Sequence, residues 1–419
     1  MIHAQTTLAS SVEGTWDLSA SVIAAGHLLR AKDAPRFPWS GGQLTPKYSG
    51  RVGTLAVHWE GRLRWNEAYS GNRYSTEARD AYRFQLDVRE AYVSTALFGW
   101  QFTAGVRQMV WGKADMLRVL DQVNPLDLQM FFLPDLNDMR IAVPMVTGSR
   151  VIGQWTVELS YIPWFEPMKL AEPGSEFHIP VVDPAMAGQV ILLPERRPSG
   201  ALENGEAGAQ ISRSFQGVDL ELCVFYTRDD RPVYRQQIIY GQGGAPVLGL
   251  RPEYHRQLML GGSLASNIGR GFVLRSELAY TPRTAYTRTD GEHDGLSRND
   301  TWTALLGLDY LHRNWLFSFQ ASDRVIDGWS RALAVPTRDL ITTLSATGSS
   351  SSGRLETRIA LTGYLLNGDG VLWQFRETWK PDDRWAWSIG GDFFTGNRRG
   401  FFGQFRDRDR IWLEAKRSF

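Results

Sequence analysis

Eight charged side chains stand between positions 113 and 140: Lys113, Asp115, Arg118, Asp121, Asp127, Asp135, Asp138 and Arg140. Between them lie Met116, Leu117, Leu120, Leu126, Leu128, Met130, Phe131, Phe132 and Leu133. This mixture suits the sorting of charged or amphipathic solutes better than the breaking of bonds. Opposed charges across a narrow opening order water and set what passes. Arginine serves well there because it stays charged and forks to carboxylates and phosphates. The apolar side chains either offer an amphipathic cargo a surface or pack a small internal core. Hydrolysis has weaker support, since it needs a histidine beside a serine or paired acids. None of the seven histidines sits in a Gly-x-Ser-x-Gly context. Asp229-Asp230 and His293-Asp294 resemble hydrolytic pairs but fall in expected loops, so no enzymatic activity is expected. The lone Cys223 excludes a disulfide scaffold, a thiolate zinc site and a redox pair. No metal and no cofactor are expected.

Irregular, charged backbone of this kind must be housed. Period-two alternation supplies walls along much of the chain, because successive side chains of a strand point to opposite faces. Phe84, Leu86 and Val88 oppose Arg83, Asp87 and Arg89, and Arg107 closes the next segment. Trp155, Val157 and Leu159 oppose Glu158. Leu220, Leu222 and Val224 oppose Asp219 and Glu221. The same pattern places Arg275, Glu277, Glu356, Arg358, Arg376 and Asp392 on polar faces. These residues are expected to line a lumen, with residues 112–140 folded inward as a constriction or a plug.

Composition narrows the architecture. The 419 residues carry 46 Lys+Arg, 45 Asp+Glu and a net charge of +1. That balance excludes an acidic disordered chain and a strongly basic nucleic-acid binder. No run of about 20 apolar residues could form a membrane-spanning helix. Aromatic residues are abundant, with 16 Trp, 14 Tyr and 20 Phe. Pairs such as Trp155 and Tyr161, Trp302 and Tyr310, and Trp373 and Trp379 bracket apolar stretches on one face, as two girdles around a lipid-facing band would. A soluble sandwich or propeller would lack that bracketing. The expectation is an all-β, transmembrane antiparallel barrel of 14 to 16 strands in the bacterial outer membrane. It covers residues 15–419 as one domain, after an N-terminal stub of residues 1–14. Long loops are expected near 30–50, 164–208, 228–250 and 283–298. Residues 50–66 read as one strand or two. Ile411, Leu413 and Ala415 alternate toward a terminal Phe419, the kind of ending that outer-membrane assembly machinery reads, although Arg417 departs from the usual apolar residue.

Several motifs occur in a fixed order: Arg89-Glu90-Ala91-Tyr92-Val93, then Arg107-Gln108 and Trp111-Gly112-Lys113-Ala114-Asp115. Next come Asn124-Pro125-Leu126-Asp127-Leu128, Leu133-Pro134-Asp135-Leu136, Phe165-Glu166-Pro167 and Pro173-Gly174-Ser175-Glu176-Phe177. Near the end stand Phe402-Gly403-Gln404-Phe405-Arg406-Asp407 and Asp409-Arg410. Dense over 83–180 and again over 390–419, this resembles the proteobacterial outer-membrane family numbered thirteen-oh-two among the domains of unknown function. The resemblance implies a barrel that works beside a hydrophobe-exporting inner-membrane pump and a periplasmic or lipoprotein partner. It also implies contact with outer-membrane lipid and a lipid or other amphipathic cargo. Passive diffusion of small polar solutes is the alternative. A polysaccharide exporter is less favoured, because the acids of 115–138 interrupt any arginine track. An electron conduit would need more strands, and a siderophore receptor would need a plug domain before Thr15-Trp16.

Overall fold

The computed structural model describes residues 12–28, 38–182, 186, 188–200, 202–240, 246–364 and 368–419. Its first strands are β1 (Val12–His27), β2 (Trp39–Val52), β3 (Leu55–Asn66), β4 (Phe84–Leu97), β5 (Trp100–Arg107), β6 (Val143–Ile152) and β7 (Trp155–Ile162). They are followed by β8 (Val190–Leu192), β9 (Glu206–Phe215), β10 (Val218–Arg228), β11 (Val233–Tyr240), β12 (Pro246–Glu253), β13 (Arg256–Gly269) and β14 (Phe272–Thr287). The last are β15 (Leu296–His312), β16 (Trp315–Ile326), β17 (Arg338–Ser349), β18 (Leu355–Tyr364), β19 (Gly370–Trp379), β20 (Trp385–Thr395) and β21 (Arg410–Ser418). Eighteen of these strands form one sheet, while β8, β11 and β12 form a separate small one. Each strand of the large sheet pairs antiparallel with its neighbours, and β1 pairs with both β2 and β21. The sheet therefore closes into a barrel.

Side-chain direction follows the alternation. On β10, Leu222, Val224 and Tyr226 are exposed outward, while Glu221 and Phe225 are buried inside. An exposed apolar outside with a polar inside is the reverse of a soluble sheet protein and fits a lipid surround. Aromatic rings gather near the strand ends: Trp16 against Tyr48 at 4.9 Å and Phe272 against Tyr310 at 4.3 Å toward one rim, Tyr280 against Trp302 at 4.4 Å toward the other. Connections at the first rim are tight. Gln216-Gly217 and Arg270-Gly271 turn with both residues at positive φ, a geometry whose twist matches that of the flanking strands. Every longer connection lies at the opposite rim. The only α-helices among the described residues are α1 (Thr76–Tyr82) and α2 (Leu136–Met139), and neither is long or apolar enough to cross a membrane.

The count of 18 corrects the expected 14 to 16. Residues 50–66 resolve into the end of β2, a turn at Gly53-Thr54, and β3. Most of the predicted loop at 30–50 is β2, whose Gly41, Gly42, Pro46 and Gly50 read as turn formers. Glycine is needed there for close approach, since a Cβ at Gly42 would collide with the Trp65 ring on β3. The Ser/Thr/Gly-rich β17 was hidden in the same way. Polar, small residues are adequate on the inner face of a barrel, so they carry little strand signal. The expected stub lies outside the described residues up to position 11, and pairing with β2 already begins at Val12.

Candidate functional site: a lumen crossed by one segment

β5 stops at Arg107, and the chain turns into the barrel before rejoining the wall at Val143. Asn124 ties the neck of this excursion. Its side chain is 0% exposed. The carboxamide oxygen accepts the Met109 N–H at 2.7 Å, and Nδ2 donates to the carbonyls of Arg107 at 3.2 Å and Ile141 at 2.8 Å. Arg118 donates to the Asn124 carbonyl at 2.7 Å. Asp121 accepts from Arg140 Nε at 2.9 Å and lies 3.5 Å from Arg118. Three of the predicted constriction residues, Arg118, Asp121 and Arg140, thus bind one another and shape the segment from within.

Wall residues on many strands then hold it. Glu277 on β14 accepts the backbone N–H groups of Lys113, Ala114 at 2.7 Å and Leu120 at 3.1 Å. Glu221 on β10 accepts Gly112 N–H at 2.8 Å, and Glu158 on β7 accepts the Trp111 indole at 3.2 Å. Arg275 donates to the Lys113 carbonyl at 2.6 Å and pairs with Asp309 at 2.7 Å and Asp115 at 3.2 Å. On β4, Arg89 sits in a bulge opposite Gly61 and donates to the carbonyls of Asn137, Asp138 and Arg140. These wall groups satisfy backbone that would otherwise be orphaned within the barrel. Apolar packing adds to them. Met109, Trp111, Leu117, Val119, Leu120 and Val123 pack against Met145, Ile162, Phe225, Met259 and Leu305 of the wall. Burial of a side chain such as Leu120 contributes roughly 2 kcal/mol. Wall glycines clear the seats, since a Cβ at Gly208 would overlap Trp111 and one at Gly261 would overlap Leu120. Farther on, Phe131 and Leu133 insert among Phe177, Leu372, Phe394, Phe402 and Phe405.

The segment divides the lumen. Toward the tight-turn rim lies a chamber of about 1120 Å³, with Glu60, Arg89, Lys380 and Lys416 in its lining. Toward the other rim lies one of about 570 Å³, where Met116, Leu128 and Phe132 meet Arg118, Arg231 and Arg324. A narrower space of about 170 Å³ lies beside Met130 and Leu133. Asp135 borders all three. Its carboxylate is ion-paired to Arg358 on β18 and lies 3.6 Å from Arg376 on β19. Asp115, in the segment and bordering the second chamber, has its carboxyl held above the usual range by burial, against the pull of Arg275.

The other predicted residues are dispersed. Asp87 binds Arg62 at 3.3 Å and Arg64 at 3.1 Å, Asp127 lies 3.7 Å from Arg64, and Asp138 lies 3.7 Å from Arg62. Arg107 lies over the Tyr92 ring at 5.4 Å. Glu356 pairs with Lys380, and Asp392 pairs with Arg410 beside the crossing, where Gln374 donates both to Asp392 at 2.9 Å and to the Leu133 carbonyl at 3.1 Å. Asp219 is exposed near the tight-turn rim, and Arg83 is an exposed cap of α1 outside the strand. Asp229 is engaged by Arg231 at 3.3 Å and Asp294 lies 3.8 Å from Arg235, both in rim ion pairs. Sequence reading missed Arg62, Arg64, Asp309 and Asn124. The first two alternate with Leu63 and Trp65, and Asp309 alternates with Leu308 and Tyr310, so the period-two signal was present for them. Asn124 had none.

These observations define a closed 18-stranded barrel with an apolar exterior and one long segment folded across its lumen. The chain belongs to the family described as "Protein of unknown function (DUF1302)", whose profile matches residues 56–354. Comparison with curated proteins finds no match. Among solved structures, OccAB4 of Acinetobacter baumannii is similar at 7% identity and a TM-score of 0.52, covering 97% of this chain and 98% of that one. OccAB2 of the same organism has 9% identity, a TM-score of 0.52 and the same coverage. These likenesses bear on the fold, which they share along nearly the whole length.

Proposed function

We propose that the chain is an outer-membrane channel whose path is set by the segment between Arg107 and Val143. The observation that carries this is Asp135, which borders the chambers on both sides of the segment and is tied to Arg358 and Arg376 on the wall. Ion pairs at a crossing between two open chambers act as a filter and a latch. The cargo reading is an amphipathic or hydrophobic compound, such as a lipid, exported with an inner-membrane pump and a periplasmic or lipoprotein partner. Apolar Met116, Leu128 and Phe132 facing arginines in one chamber support it. Passive diffusion of small polar solutes is the second reading, favoured by the mixed charge of both chambers. Planar-bilayer recording tests the channel. Asp135→Ala should raise single-channel conductance severalfold while the strand content stays the same. An unchanged or lower conductance would overturn the role of this crossing. For cargo, release of a fluorescent lysolipid and of a small sugar from proteoliposomes should separate the two readings.

A further inference from the structure

The barrel wall is incomplete on one side. β4 begins at Phe84, yet its ladder with β5 spans only Ala91–Leu97. Phe84–Glu90 pairs with β3 on one edge and has no strand on the other among the described residues. The ladder ends where the Gln108 N–H bonds to the Glu90 carboxylate instead of to β4 backbone. The interval lies at membrane depth, since the outward residues of this stretch are apolar: Phe84 is 58% exposed, Leu86 74% and Val88 51%. Leu86 is the most exposed leucine among the described residues. Unpaired strand edges do not persist against hydrocarbon, but they do persist beside a water-filled cavity. A cavity of about 430 Å³ lies there, with Leu86, Val88, Pro144 and Trp164 among its lining residues and charged side chains enough to hold water. Its inner side carries Arg62, Arg89, Arg140 and Lys169 against Asp87, Asp127 and Glu166. Asp87 is bound by Arg62 and Arg64, and Arg140 by Asp121. Lys169 takes part in no ion pair among the described residues and lines the same cavity as Asp87, Asp127 and Glu166, with its charge felt at Asp87.

We infer that the interval between β4 and β6 is a side opening through which an amphiphile with an apolar chain and an anionic head passes between the membrane and the lumen. The apolar rim takes the chain, and Lys169 takes the head. The inference rests on the channel proposed above and supplies its cargo class and a route that bypasses the outer mouth.

Photolabelling of the full chain in proteoliposomes tests it. The probe is phosphatidic acid carrying a diazirine on its acyl chain, with phosphatidylcholine bearing the same chain for comparison. Labelled positions are read by mass spectrometry. The expected result is phosphatidic acid label on Ile141 and Ala142 as well as on outward Leu86, at least fivefold above phosphatidylcholine at the inner positions. Lys169→Glu should remove most of the inner label and leave the Leu86 label intact. Ala142→Trp, which narrows the opening, should do the same with Lys169 in place. Label confined to outward residues, or equal inner label from both lipids, overturns the inference. Conductance recorded on the same preparations separates the outcomes: a conducting barrel without inner label sinks the side opening and leaves the channel standing.

Discussion

Asn124 and Asp135 have the same polar character and opposite consequences. Asn124 is sealed at the neck with three hydrogen bonds to backbone groups that would otherwise lie buried and unpaired. Leaving such groups unsatisfied costs about 1–3 kcal/mol. Asn124→Ala should therefore expose residues 108–142 to limited proteolysis while the barrel keeps its heat-resistant mobility on gels. Asp135 instead faces space on several sides, so its loss should change flow more than stability. Asp115 adds a pH response. Desolvation inside the lumen pushes its carboxyl above the usual range of about 4, although the side chain is partly open and Arg275 pulls the other way. A folded-state value raised above the unfolded one means that the folded chain gains protons first as pH falls. Acidification should therefore discharge Asp115 while Arg275 stays charged, moving the reversal potential toward anion preference. Asp115→Asn should show the acid-form preference at neutral pH and lose this step, a comparison that bilayer recording under a salt gradient would decide.

At the scale of elements, the segment and the wall were cut to fit each other. Gly208 on β9 and Gly261 on β13 open seats for Trp111 and Leu120. Gly261→Val places a side chain in the second seat, and such overpacking costs about 1–3 kcal/mol. The expected outcome is a displaced segment and a conductance above wild type, with circular dichroism unchanged. This fit also explains what could be read in advance. Alternation in 218–226 or 371–378 marked wall strands because Leu222 or Trp373 must face lipid. The break after Trp111 marked the segment, because charges as dense as Lys113 to Asp121 cannot alternate with a lipid face. β2 and β17 were obscure, since their small and polar residues answer to neighbours such as Trp65 and not to membrane. Partners within the site were obscure for a related reason. Glu277 looked like a pore-lining acid, but its role as an acceptor for three backbone N–H groups depends on residues more than 150 positions away.

For the whole molecule, charge is paired and not pooled. Both chambers mix signs, the wider with Arg376 and Lys416 beside Glu60 and Glu414, the other with Arg118 and Arg324 beside Asp229 and Asp339. Discrimination between potassium and chloride should accordingly stay within about a few-fold, as a reversal potential would show. A last consequence concerns assembly. The inward segment touches Arg89 on β4, Glu158 on β7, Glu221 on β10, Glu277 on β14, Arg358 on β18 and Gln374 on β19. The contact between Leu133 and Gln374 spans 241 positions. A cylinder of larger or smaller girth could not meet all of these at once. The segment thus ties six wall strands at fixed spacings, a constraint that favours one circumference when the seam between β1 and β21 closes. Loss of its anchors, as in Glu277→Ala, should slow refolding into vesicles and broaden the range of conductances, because closure would then proceed without a template.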